Sequence, residues 1–239
     1  MLLTTQAIVI TTVKYGEADL IAKCFTESSG IKSYLLKGIL KSKKGKLRVS
    51  LFQPFTILEI QAYHKDKGTL EYIKEAKIET SLTTIHNTIA KSSIVLFLSE
   101  SLKNIIREEE KNTPLFDYLK TAIQWLDTHE ASPVFHHHFL LHLTKFLGFY
   151  PDDMQSEHSY FNAAEGVFQT NDTTVYCFEM GPNHLFKQLL KTPLENLPLL
   201  HPKKTERQYT LELLLTYYQL HLHEFKRPKS LAVLQSVFQ

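Results

Sequence analysis

The chain is short of the residues that staple, span or cradle. Two cysteines among 239 residues, Cys24 and Cys177, cannot build a disulfide framework or a four-thiolate zinc site, and they suit a reducing, cytoplasmic compartment. No run approaches the roughly 18 consecutive apolar residues of a membrane span, so no membrane is expected. The short apolar run at the N-terminus has no basic flank and no A-x-A-like cleavage site, which argues against a secretory signal. Glycine is scarce too, eight in all, and none falls in a G-x-x-x-x-G-K-S/T loop, a G-x-G-x-x-G turn or a G-x-S-x-G elbow. The close acidic cluster that holds paired magnesium ions in nucleases is also missing. Neither an enzyme nor a cofactor is expected.

What is present suffices for a core: 43% of residues are hydrophobic and 22% charged. The net charge of +2 is unevenly spread. Residues 1–80 carry 13 Lys/Arg against 8 Asp/Glu, the remainder 14 against 17. A basic first third and a slightly acidic remainder imply two parts with different partners.

The first part reads as strands. Gln6–Val13, Leu20–Thr26, Ile31–Lys37, a long run Arg48–Tyr63 and Leu70–Ile78 are rich in β-branched and aromatic residues, with glycines at the turns. Pro54 inside the long run predicts a bend or an edge. Five short strands with no helix between them, in about 80 residues, have the size of an OB-fold barrel. From about residue 82 the spacing turns helical, through Ile85, Ile89, Ser93, Leu96, Leu98 and Leu102. The run Glu108-Glu109-Glu110 then opposes the helix dipole and predicts fraying. Thr113-Pro114, Ser132-Pro133 and Thr192-Pro193 each pair a capping hydroxyl with proline at a first helical position, and Glu195 offers Thr192 a capping box. Apolar stripes follow at Phe135, Phe139, Leu143, Phe146 and Leu147, and at Leu211, Leu214, Leu215, Tyr218, Leu222 and Phe225. The expected architecture is α+β: a five-stranded OB-fold barrel over 1–80, then a mainly helical domain over 81–239. Residues 149–181 form an irregular hairpin insertion around Gly166.

The strongest local signal is the stretch 37–48. Lys37, Lys41, Lys43, Lys44, Lys46 and Arg48 make six cations in twelve residues with no acid among them. Between two predicted strands this is expected to be a mobile, glycine-hinged loop suited to a phosphate backbone. Six contacts to a single strand would give a log–log salt slope of about −4. Barrel-type single-strand binders lay bases on aromatic rings. Strict alternation sets Lys32 and Tyr34 opposite Ile31, Ser33 and Leu35, which makes Tyr34 the expected exposed platform. Lys14, ending the first strand, would extend the path. These residues predict binding to nucleic acid, with RNA (a translation or ribosome-associated factor) as the alternative to DNA.

Twelve histidines raise a third reading. His138 and His142, beside His136 and His137, share a helix face and could clasp a metal for hydrolysis. No third ligand stands on that helix, so surface or boundary histidines are expected there, as at His221 and His223, and no metal.

The ordered pieces Ala7-Ile8-Val9-Ile10, Tyr15-Gly16-Glu17-Ala18-Asp19, Phe25-Thr26 with Gly30, Lys37-Gly38 and Leu51-Phe52-Gln53-Pro54-Phe55 resemble the bacterial recombination mediator family RecO. So do Leu147-Gly148-Phe149-Tyr150-Pro151, Tyr160-Phe161 with Gly166, and the ending Lys229-Ser230-Leu231, Val233-Leu234, Val237-Phe238. The resemblance implies an OB-fold followed by a helical domain, binding of single- and double-stranded DNA, and annealing of complementary strands. It also implies action with RecR to load RecA onto DNA coated by single-stranded DNA-binding protein (SSB), in the cytoplasm at the nucleoid. Many members carry a four-cysteine zinc module; here residues 149–181 hold only Cys177, so a metal-free hairpin is expected in its place. An acidic SSB tail with an apolar end would need an apolar pocket rimmed by a cation. Lys226, Arg227 and Lys229 beside Leu222 and Phe225 are the candidate rim.

Overall fold

A computed structural model describes residues 1–41, 47–65, 70–107 and 110–238. Five strands open the chain: β1 (Leu2–Tyr15), β2 (Asp19–Thr26), β3 (Gly30–Leu36), β4 (Ile57–Tyr63) and β5 (Tyr72–Thr80). They form one antiparallel sheet in the order β3-β2-β1-β4-β5. β1 is long enough to serve two neighbours: its first half pairs with β4 and its second with β2. A bulge between Val9 and Thr11 bends it between the two. Ala7, Ile8, Val9 and Ile10 are all buried, because one face of β1 lines the sheet's core and the other lies under helices.

The two edge strands approach each other without a continuous ladder. Leu35 donates to the Glu71 carbonyl at 2.9 Å and Glu71 donates to the Ser33 carbonyl at 2.9 Å, a single parallel bridge. The sheet is therefore curled but not closed, where a closed barrel is the sequence expectation. The long extended run at 48–63 is interrupted as well. Val49–Phe52 is a 3-10 turn, and Phe55 takes φ 67° while its N–H bonds the Val9 carbonyl at 2.7 Å. Pro54 sits inside that break.

The helices are α1 (Ile89–Ile105), α2 (Thr113–Thr128), α3 (Phe135–Leu147), α4 (Leu185–Lys191), α5 (Lys204–His221) and α6 (Leu231–Val237). A second small sheet, β7-β6-β8, comprises β6 (Tyr160–Asn162), β7 (Val167–Gln169) and β8 (Cys177–Glu179). The chain divides into two compact units, one of Met1–Thr128 with Pro228–Val237, the other of His129–Arg227 with the chain end from Phe238. The first unit holds α1, α2 and α6 together with the five strands, α1 packing on β1 and α6 on α1. Phe25 meets Phe116 at 6.2 Å between ring centroids, Lys120 reaches Gln6 and Glu79 at 2.9 Å each, and the Ser99 hydroxyl donates to the Ile10 carbonyl. The Glu100 carboxylate accepts the Lys229 and Ser230 N–H groups, 2.9 Å each, at the start of α6. Among the described residues no helix is long and apolar enough to cross a membrane.

Some start signals act differently from their reading. Asn112, not Thr113, caps α2, its side-chain oxygen accepting the Leu115 N–H at 3.1 Å. The Thr192 hydroxyl turns back to the Gln188 carbonyl at 2.7 Å, and the next element is a 3-10 turn, Leu194–Leu199, with Pro198 inside it. Glu108 and Glu109, where fraying is expected, lie outside the described residues.

Asp127 ties the helices to the segment after β5. Its buried carboxylate accepts the N–H groups of Thr83 (3.0 Å), Thr84 (2.7 Å) and Ile85 (3.0 Å), while buried Lys91 reaches its backbone carbonyl at 2.9 Å. Burial pushes the carboxyl up, but these hydrogen bonds outweigh it and hold it below the usual carboxylate range. Asp127→Ala should cost about 3 kcal/mol, since three backbone donors, the Ile85 N–H buried among them, lose a charged acceptor. Urea unfolding of the full chain checks the figure. Because the folded carboxyl titrates below its unfolded value of about 3.9, this stability is full above that pH and is lost as the pH falls through the folded value.

Candidate nucleic-acid interface

The basic loop rises from a stem locked to the turn between β1 and β2. Gly38 takes φ 67° and donates to the Asp19 carboxylate at 2.7 Å, and Leu40 donates to the Ala18 carbonyl at 2.9 Å. Ile39, between them, is buried in the sheet's core. This alternation of anchor and solvent leaves Lys37 and Lys41 exposed. On the returning side Leu47 packs against the core, Arg48 is exposed at the head of the 3-10 turn, and Phe52 is buried. Lys14 is exposed at the end of β1, just before the turn that holds Gly38. Lys41 lies 3.6 Å from Glu17, with both side chains well exposed, an ion pair that a phosphate displaces at little cost. Lys43, Lys44 and Lys46 lie outside the described residues.

Tyr34 is not the exposed platform. It is fully buried, and its hydroxyl pairs with His64 Nε2 at 2.7 Å. The alternation on β3 holds, but the inner set is Lys32, Tyr34 and Leu36 rather than Ile31, Ser33 and Leu35, because Tyr34 and Leu36 belong to the core cluster of the curled sheet. The aromatic ring that does meet the cations is Tyr72, half-buried, with the Lys37 ammonium 5.5 Å and the Lys65 ammonium 5.7 Å from its centroid. Its cross-strand partner is Tyr63, which is 44% exposed.

The candidate rim for an acidic tail is not an open pocket. Phe225 is buried with its ring 5.3 Å from Tyr218, and Leu222 caps α5 through its N–H to the Tyr218 carbonyl. Arg227 grips the Glu212 carboxylate with two bonds, 2.7 and 2.5 Å, which holds that carboxyl below its usual range. Lys226 and Lys229 are exposed. Elsewhere in the second unit a cleft of about 570 Å³ has apolar walls, Leu197, Pro198, Leu200 and Pro202, beside Arg207.

Three of the four clustered histidines are interior, whereas His142 and His221 are half-buried and His223 is exposed, as expected of boundary and surface positions. His136, His137 and His138 are buried. Nε2 of His137, His138 and His142 faces the carbonyls of Arg207 (2.8 Å), Thr192 (3.0 Å) and Leu189 (3.2 Å). A carbonyl only accepts, so each Nε2 carries its proton and has no lone pair for a metal. Burial holds His137 down at about 4, His138 at about 3 and His142 at about 4.

The hairpin region does not fit a zinc ion. Among the described residues no three histidine, cysteine or acidic side chains gather to hold one, and Cys177 sits against Gln169 at 3.2 Å. Its order comes from elsewhere. Phe161, Phe168 and Phe186 pack with centroids 4.8 to 6.3 Å apart, and the buried Lys187 ammonium donates to the His158 carbonyl at 2.7 Å. Gly166 takes φ 72° under the Tyr217 hydroxyl, where a Cβ would lie only 2.7 Å away.

Comparison with known proteins accounts for this arrangement. The family model for the N-terminal part of recombination protein O matches residues 1–82, and the model for its C-terminal part matches residues 86–232. A protein of Flavobacterium psychrophilum called DNA repair protein RecO is 48% identical over 238 residues, covering 100% of both chains. Proteins of the same name from Christiangramia forsetii and Bacteroides fragilis are 45% and 37% identical, again over 100% of both chains. With a five-stranded sheet first, a mostly helical part after it and matches along nearly its whole length, this chain belongs to the RecO family.

Proposed function

We propose that this protein is a DNA-binding recombination mediator. It anneals complementary single strands and helps load a recombinase onto SSB-coated DNA in recombinational repair. The observation that carries the reading is the set of exposed cations of the five-stranded unit, Lys14, Lys37, Lys41 and Arg48, that flank the hydrogen-bonded stem and the turn after it. Membership of a family whose relatives are named for DNA repair supports it. Annealing asks little chemistry of a protein. Two polyanions repel, and a cationic surface screens the repulsion while their bases search for pairs. Contacts to phosphates carry no sequence information, so the same surface takes single- and double-stranded DNA.

RecR and the acidic tail of SSB are the proposed protein partners, acting in the cytoplasm at the nucleoid. Lys226 and Lys229 are exposed cations that suit an acidic tail. The cleft beside Arg207 offers the apolar wall that buried Phe225 does not. The test is annealing of SSB-coated complementary oligonucleotides with no added nucleotide or metal ion. The expected result is duplex formation well above the rate of coated strands alone, and no acceleration would sink the reading. In a competition between DNA and RNA of equal length, a clear preference for RNA would move the function to the translation-factor class.

A further inference from the structure

The ring that replaces Tyr34 is placed by the fold itself. β5 begins at Tyr72, with Glu71 and Ile73 buried on either side of it. Ile73 pairs with buried Ala62, and Tyr72 pairs with exposed Tyr63, so the two tyrosines stand together on the outer face of the sheet. The bridge between β3 and residue 71 brings Lys37, one residue past β3, to the same spot, and Lys65, two residues past β4, arrives from the other side. Two ammonium groups thus share one half-buried phenol ring. Each gains a little from the ring's π-face, but an exposed cation–π contact is weak and the two like charges repel. As an isolated arrangement it wins little. As a receptor it is complete, with flexible cations for phosphates flanking a flat apolar face for a base.

We infer that Tyr72, with Lys37 and Lys65, is a stacking site for an unpaired base of single-stranded DNA. This rests on the DNA-binding reading above and narrows it. When a strand arrives, the two lysines exchange the ring for the phosphates on either side of one nucleotide, and the uncovered ring receives its base. A base inside a duplex has both faces already stacked and cannot do this, so the site favours single strands where the loop cations do not.

The test compares an oligo-dT strand with a hairpin duplex of equal phosphate count, for the wild type, Tyr72→Leu, Tyr72→Phe and the pair Lys37→Ala with Lys65→Ala. Tyr72→Leu should weaken single-strand binding about tenfold and leave duplex binding and the salt slope unchanged, as loss of one stacked base requires. Tyr72→Phe keeps a ring and should keep the affinity. The double lysine variant should flatten the single-strand salt slope by about 1.4, roughly 0.7 for each lost contact. A strand carrying 2-aminopurine should lose fluorescence on binding the wild type and the phenylalanine variant but not the leucine variant. Equal loss on single strand and duplex with Tyr72→Leu, or no loss on either, would overturn the stacking site while leaving the cationic stem in place. Failure of the wild type to bind either DNA would overturn the DNA-binding reading instead.

Discussion

Between about pH 6.5 and pH 4 the second unit should lose its fold, and three histidines should be the reason. At neutral pH His137, His138 and His142 are neutral both folded and unfolded, so their burial carries no proton-linked penalty. Below an ordinary value of about 6.5 the unfolded chain takes up protons that the fold refuses. Burial is the largest cause of that refusal; Arg207 adds to it at His137, and Lys145 at His138 and His142. Stability therefore falls with pH until the folded sites titrate, near 4 for His137 and near 3 for His138. His137 alone withdraws roughly 3 kcal/mol across that window, a large part of what holds a domain of this size. Replacing His137 and His138 by Gln keeps an N–H for the Arg207 and Thr192 carbonyls and removes the titration. Near-ultraviolet circular dichroism, with hydrogen exchange read over residues 129–227, should show the acid midpoint of the double variant lower by about half a pH unit or more. A midpoint equal to that of the wild type would mean the histidines do not govern acid unfolding.

The same histidines show where sequence reading stops. Spacing at i, i+4 correctly puts His138 and His142 on one helix face, but what covers that face comes from 47 and 54 residues away, at Leu189 and Thr192. On β3 the two alternating sets were legible and the inner one was not. Ile31 and Leu36 are both buried although they belong to opposite sets, and only the distant partner His64 decides for Tyr34. Thr192-Pro193 carries a proper helix-start signal, yet Pro198 stands where a continuing helix needs an N–H. The next long helix waits until Lys203, whose N–H meets the Glu206 carboxylate at 2.9 Å. By contrast the strands other than the interrupted run at 48–63, and the Gly166 hairpin, needed only local information, because glycine punctuation acts over a few residues. Tyr72 falls within the expected strand Leu70–Ile78 and nothing local singles it out; what marks it is Lys37, brought in by the bridge between Tyr34 and Glu71, and Lys65, which arrives from the end of β4.

Replacing Lys14, Lys37, Lys41 and Arg48 together by Ala should nearly abolish the salt dependence that these side chains bring to DNA binding. Four phosphate contacts to a single strand carry a log–log slope of about −3, which between about 50 and 200 mM salt is roughly a 50-fold loss of affinity. The variant should show a slope shallower by that amount, and the effect should be the same for any sequence, because phosphates are what these cations meet. The stem should survive the change. Its geometry rests on Gly38 held by Asp19, on Leu40 held by Ala18 and on buried Ile39, none of which is touched. Equal thermal unfolding of variant and wild type tests that point, and fluorescence anisotropy of a labelled oligonucleotide across a salt series gives the slope. An unchanged slope with an intact fold would take the stem out of DNA binding. A slope that falls by about 3 yet leaves annealing of SSB-coated strands at its full rate would separate binding from annealing and assign the annealing step to another surface. If slope and annealing fall together, charge screening at this one stem is the physical basis of both.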